Sequence, residues 1–195
     1  MPIQLSRSNI RTEIKKYLDK LKTLDTSLPS EPLELFRKLK REPVVGGPYP
    51  GHSMFEVANR VMSDLVVFGA VETLLFEPPP KIANHDIKEI TALLGNENDG
   101  PADLSAELSG GGRLLGECFN VALTLFPAKF KKSANALQGK EATIRLIAFN
   151  RDAHPDVAAF EQQLHKRKDE RPLTPIDVII IPIDVTSCLE KWQSY

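Results

Sequence analysis

The chain has 195 residues, enough to bury about 70% of its unfolded surface in one core without disulfide staples or a structural metal. With 42% hydrophobic and 26% charged residues it lies in the globular range, which excludes a disordered chain. Its 25 Lys and Arg against 26 Asp and Glu leave a net charge of −1, which excludes wholesale coating of a polyanion but not a local basic face.

Asn9 is placed to cap a helix over residues 10–24, with Ile10, Ile14, Tyr17, Leu18, Leu21 and Leu24 on one face. Pro32 opens a second, short helix over 33–41. Residues 1–45 carry ten basic against six acidic side chains, an excess of +4. That excess suits a solvated helix face or an arm facing phosphate. The run PVVGGPYPGHS (43–53) is turn chemistry and the best linker, dividing an N-terminal helical extension (1–45) from a core domain (46–195).

Ser53 then caps an amphipathic helix whose apolar face includes Met54, Val57, Val61 and Leu65, with Glu56, Arg60 and Asp64 at intervals. Residues 68–77 fit either continued helix or strand, and PPP at 78–80 ends either one. Residues 82–94 read as helix and 95–101 as loop. Segments 102–108 and 113–123 flank SGGG as a β-hairpin. A helix over 127–137, a strand over 141–150, a helix over 155–169 and a fully buried strand over 176–184 complete the pattern. The expected fold is α/β, a mixed central sheet flanked by helices.

The chemistry concentrates in the hairpin. Paired across the glycine turn, Asp103 and Glu117 converge at one end of the sheet, and two carboxylates with waters suit Mg²⁺ (or Mn²⁺) in phosphodiester chemistry. Glu97 and Asp99 stand in the preceding loop as supplements. Between residues 127 and 151 six basic side chains face one acidic one, an excess of +5 directly after the acidic pair. An acidic centre beside a basic rim suits a polyanionic substrate. Asn96, Asn98 and Asn120 fit phosphate contacts or Asx-turns.

A helix with Glu56, an Asp strand with PAD (101–103), a Glu strand with ECF (117–119), a helix with lysines and a further strand resemble the PD-(D/E)XK nuclease superfamily. The resemblance covers most of the chain and implies a restriction-endonuclease-like fold. It implies metal ligation by Asp103 and Glu117, with Glu56 as an accessory acid. The activity implied is Mg²⁺-dependent hydrolysis of DNA, in a restriction or defence setting. The family's lysine position holds Phe119, which cannot orient water, and two explanations stand open. Either Lys132 or Lys129 on the next helix replaces it, or the fold is a catalytically inactive module that binds nucleic acid or protein. Lys129, Lys131, Lys132 and Asn120 would contact DNA, and a homodimer is an open arrangement.

Rival motifs fail on context. SGGGRLLG lies between two strands, so it is turn chemistry and not a dinucleotide fingerprint. Cys118 with His154 or His165 reads as core packing in preference to a nucleophile pair. Cys118 and Cys188 are the only cysteines and form no CxxC, pointing to a reducing compartment. No stretch approaches the ~18 apolar residues of a membrane span, and the N-terminus lacks a signal-peptide core, so the expectation is a cytoplasmic protein with no membrane partner.

Overall fold

A computed structural model describes residues 2–95, 100–153 and 178–195. Its elements in chain order are β1 (Pro2–Ser6), α1 (Ile10–Leu21), α2 (Pro32–Lys40), α3 (Met54–Phe76), α4 (Pro80–Ala83), β2 (Glu89–Leu93), β3 (Leu104–Glu107), β4 (Arg113–Phe119), α5 (Phe126–Gln138), β5 (Ile144–Asn150), β6 (Val178–Ile183) and α6 (Val185–Trp192). Six strands form one mixed sheet in the order β1-β2-β3-β4-β5-β6. The first four run antiparallel to their neighbours, while β4, β5 and β6 are parallel. The fold is α/β with helices on both faces, as the alternation of elements predicts.

Period-2 alternation divides the sheet between two cores. On one face Leu104, Ala106, Leu114, Cys118, Leu146 and Ala148 pack under α3. On the other, Leu115, Phe119, Ile147 and Phe149 pack under Phe126, Phe130, Ala134 and Leu137 of α5. Helix α3 is the central brace. Its start is fixed by a capping box in which Ser53 and Glu56 satisfy each other's backbone N–H groups. The ambiguous stretch 68–77 is helix, continuing α3 through Phe76. Gly69 permits this, because a Cβ there would lie 2.5 Å from Ile183 Cγ2.

Several expectations are corrected. Residues 82–94 are not one helix: α4 is a single turn, and Ile90 and Ala92 alternate inward on β2 while Glu89 and Thr91 face out. Ile87, Ile90 and Leu94 recur at helical spacing, so the alternation of Ile90 and Ala92 was masked by a helical pattern. Strand β1 had no strand signal beyond Ile3 and Leu5, yet it pairs along β2 from Pro2 to Ser6. Helix α1 stops at Leu21, and Asn9 caps no helix N–H; its Oδ1 accepts from Ser6 N at 2.8 Å. Strand β6 is half-buried and not fully buried, and lies at the end of the sheet, where Pro182 is tolerated. The residues after it form helix α6, whose Trp192 packs against Phe68 with ring centroids 6.5 Å apart. The helix expected over 155–169 lies outside the described residues.

Segment 1–45 supplies β1 to the sheet and buries Ile10, Ile14 and Tyr17 of α1 in the same core as α3. Helix α2 buries no residue. Among the described residues no helix is long and apolar enough to cross a membrane.

Candidate active site

The hairpin register generates the site. Leu104 pairs with Gly116, so one residue further along the antiparallel ladder Asp103 stands opposite Glu117, and side chains opposite each other share a face. That face is the α5 side. The backbone here is held on both edges: Leu93 N donates to Asp103 O at 2.8 Å, and Cys118 N donates to Asp103 Oδ2 at 2.7 Å. The two carboxylates open into a cleft of about 460 Å³.

Three elements complete its walls. Helix α5 presents Lys129 and Lys132, three residues apart on one face, as expected for i, i+3 neighbours. The turn after α5 adds Lys140, whose Nζ lies 3.7 Å from Glu117 Oε1. From α3 come Asn59 and Ser63, one helical turn apart. Asn120, just past β4, lines the cleft and its Oδ1 accepts from Asn150 Nδ2 at 3.1 Å. Phe119 points into the aromatic cluster, 2% exposed and stacked on Phe149, with Lys129 Nζ 5.6 Å from its ring centroid.

Burial raises the Asp103 carboxyl above its ordinary range, against the pull of the Cys118 N–H and the charges of Lys129 and Lys140. Glu117 is also raised, first by burial and then by the negative charge of Asp103, with Lys140 and Lys129 opposing. Two desolvated, mutually repelling carboxylates form an acidic centre that the neighbouring lysines, Lys140 by an ion pair, relieve only in part. A divalent cation fits it. Mg²⁺ commonly takes one or two carboxylates and completes its shell with water and phosphate oxygens. Among the described residues no group of three or more His, Cys, Asp or Glu side chains is placed to hold a metal, so the protein ligands here would be these two.

Comparison of the chain with protein-family models, with curated proteins and with solved structures finds no match. The residues themselves carry the functional argument.

Of the residues singled out from sequence, Asp103, Glu117, Lys129, Lys132 and Asn120 share the cleft. Lys131 is exposed and does not line it. Glu56 is not brought there either. Its Oε2 accepts from Ser53 N at 2.9 Å and Ser53 Oγ at 2.8 Å, which holds its carboxyl below the usual range. The α3 positions that do reach the cleft, Asn59 and Ser63, are uncharged and carried no signal in the sequence. Lys140 was visible only as part of the basic zone. Glu97, Asp99, Asn96, Asn98, His154 and His165 lie outside the described residues. Cys118 faces the α3 core, its thiol pushed well up by burial, which does not suit a nucleophile.

The raised carboxyls give a signed stability prediction. A carboxyl raised in the fold favours folding below its unfolded value, near pH 4, and that contribution is lost as pH rises through the folded value. Glu117→Gln removes the loss. Its melting temperature at pH 8 is expected to exceed wild type by about 2–4 °C, the gap closing toward pH 4. Thermal melts from pH 4 to 8 check this, and a lower melting temperature at pH 8 contradicts it.

Proposed function

We propose that this cleft hydrolyses phosphodiester bonds in DNA with Mg²⁺ or Mn²⁺, in a fold of the PD-(D/E)XK, restriction-endonuclease-like type. The observation that carries the proposal is the Asp103–Glu117 pair, opposed across β3 and β4 in one cleft with Lys129, Lys132 and Lys140. The element order α3, β3, β4, α5, β5 supports it too. Asp103 and Glu117 would hold the cation, which when bound supplies a water of lowered pKa and neutralises charge developing on phosphate. Lys132 and Lys129 attract the polyanion and balance its charge, while Asn120, Asn59 and Ser63 offer hydrogen bonds to phosphate and sugar oxygens. A restriction or defence role belongs to this proposal.

The position of Phe119 favours a second proposal. Its side chain is fully committed to the aromatic cluster, so the family's strand lysine has no counterpart on β4. The module would then bind nucleic acid without turnover. Cleavage of plasmid and single-stranded DNA with Mg²⁺ or Mn²⁺ separates the two. Activity lost in Asp103→Ala supports catalysis. Salt-dependent binding without turnover, unchanged in Asp103→Ala and weakened by Lys132→Glu, supports the binding module.

A further inference from the structure

Lys140 differs from the other lysines of the cleft in how it is held. Its Nζ forms an ion pair with Glu117 Oε1 at 3.7 Å, the Lys140 side chain being 34% exposed and that of Glu117 16%. The backbone beneath it is clasped from β5. Arg145 Nη2 donates to Lys140 O at 2.7 Å and Arg145 Nε donates to Leu137 O at 3.1 Å, while Lys140 N donates to the same Leu137 carbonyl at 3.2 Å. A turn fixed by Arg145 therefore delivers one ammonium to the Glu117 carboxylate. Lys129 has no such ion pair among the described residues; its ammonium sits over the Phe119 ring.

An ammonium at 3.7 Å and a divalent cation on Glu117 are like charges competing for the same oxygens. We propose that Lys140 is a built-in counter-ion which a divalent cation displaces from Glu117, so that loading the cation and releasing an ammonium toward an anionic ligand are one event. This rests on Asp103 and Glu117 being the cation's ligands. Without the cation, Lys140 neutralises Glu117 and the cleft presents less free positive charge to phosphate. With it, the released ammonium, already in the cleft wall, adds to the field of Lys129 and Lys132. Reciprocity then requires phosphate to tighten cation binding as well.

Mn²⁺ binding, read by electron paramagnetic resonance of free Mn²⁺, tests this without any reliance on turnover. Lys140→Met is expected to bind Mn²⁺ about five- to tenfold more tightly than wild type, because it removes a partly shielded ion pair and a like charge. Lys129→Met, which changes the field but no ion pair, is expected to gain less than about twofold. Inorganic phosphate should tighten Mn²⁺ binding in wild type and do so less in Lys140→Met. Thermal melts establish that both variants fold, and Lys140→Arg, which keeps the charge, should bind like wild type. Equal gains in Lys140→Met and Lys129→Met, or no gain in either, overturn the displacement while leaving the ligand pair intact, provided Glu117→Gln abolishes binding. No Mn²⁺ binding in any variant, or binding that survives both Glu117→Gln and Asp103→Asn, overturns the ligand pair and the displacement together.

Discussion

Replacing Asp64 with alanine is expected to lower the unfolding free energy by about 3–5 kcal/mol. Asp64 is 1% exposed and its carboxylate ties three other segments of chain to α3. Tyr17 of α1 donates its hydroxyl to Oδ2 at 2.6 Å, Tyr49 of the 43–53 segment donates to the same oxygen, and Gly95 N donates to Oδ1 at 2.8 Å. Alanine leaves one buried phenol, one half-buried phenol and a backbone N–H without an acceptor, each costing up to about 1–3 kcal/mol. Relief of desolvation offsets part of that, since burial pushes the Asp64 carboxyl above its ordinary range despite its three donors. Asp64→Asn keeps an acceptor and should lose about half as much. Urea unfolding followed by the fluorescence of buried Trp192 measures both, and a loss under about 0.5 kcal/mol, the value for a solvent-facing residue, contradicts it. The network also serves the cleft, because Gly95 begins the connection from β2 to Asp103 and Leu93 holds the far end of it.

The second large effect is on rate. For the proposed nuclease, Asp103→Ala and Glu117→Gln are each expected to reduce metal-dependent cleavage by about 10³-fold, the equivalent of roughly 4 kcal/mol of transition-state stabilisation. Glu56→Ala is the informative contrast. It breaks the capping box of α3 and costs about 1 kcal/mol of stability, without a comparable loss of rate. Glu117→Gln should also melt higher than wild type at neutral pH while losing activity, since burial, and then repulsion from Asp103, disfavours the charged carboxylate. A variant that loses rate and stability in parallel would instead mark Glu117 as a structural residue. Initial rates on plasmid DNA, set beside thermal melts of the same preparations, separate these outcomes.

The pairing of Asp103 with Glu117 was legible because the glycine turn between two alternating strands dictates register, and register dictates which side chains share a face. The lysines of α5 were legible for a similar reason, since i, i+3 spacing is local. What escaped is tertiary. Glu56 and Asp64 both read as polar intervals on an amphipathic helix, yet Glu56 closes a cap and Asp64 is buried under tyrosines from two other segments. Lys140 follows a glycine at a helix end, and only the Arg145 clasp from the next strand turns it toward Glu117. Strand β1 is short and edge-placed, with only Leu5 fully buried, so alternation over its few residues carried too little pattern to register. Residues 82–94 carried too much, matching two periods until the sheet selected one.

The most direct measurement is anomalous diffraction from crystals soaked in Mn²⁺. With Asp103 and Glu117 as cation ligands, a peak is expected about 2.1 Å from a carboxylate oxygen of each, absent from Asp103→Ala crystals. Peaks confined to other parts of the surface, or a cleft peak that persists in Asp103→Ala, would contradict it.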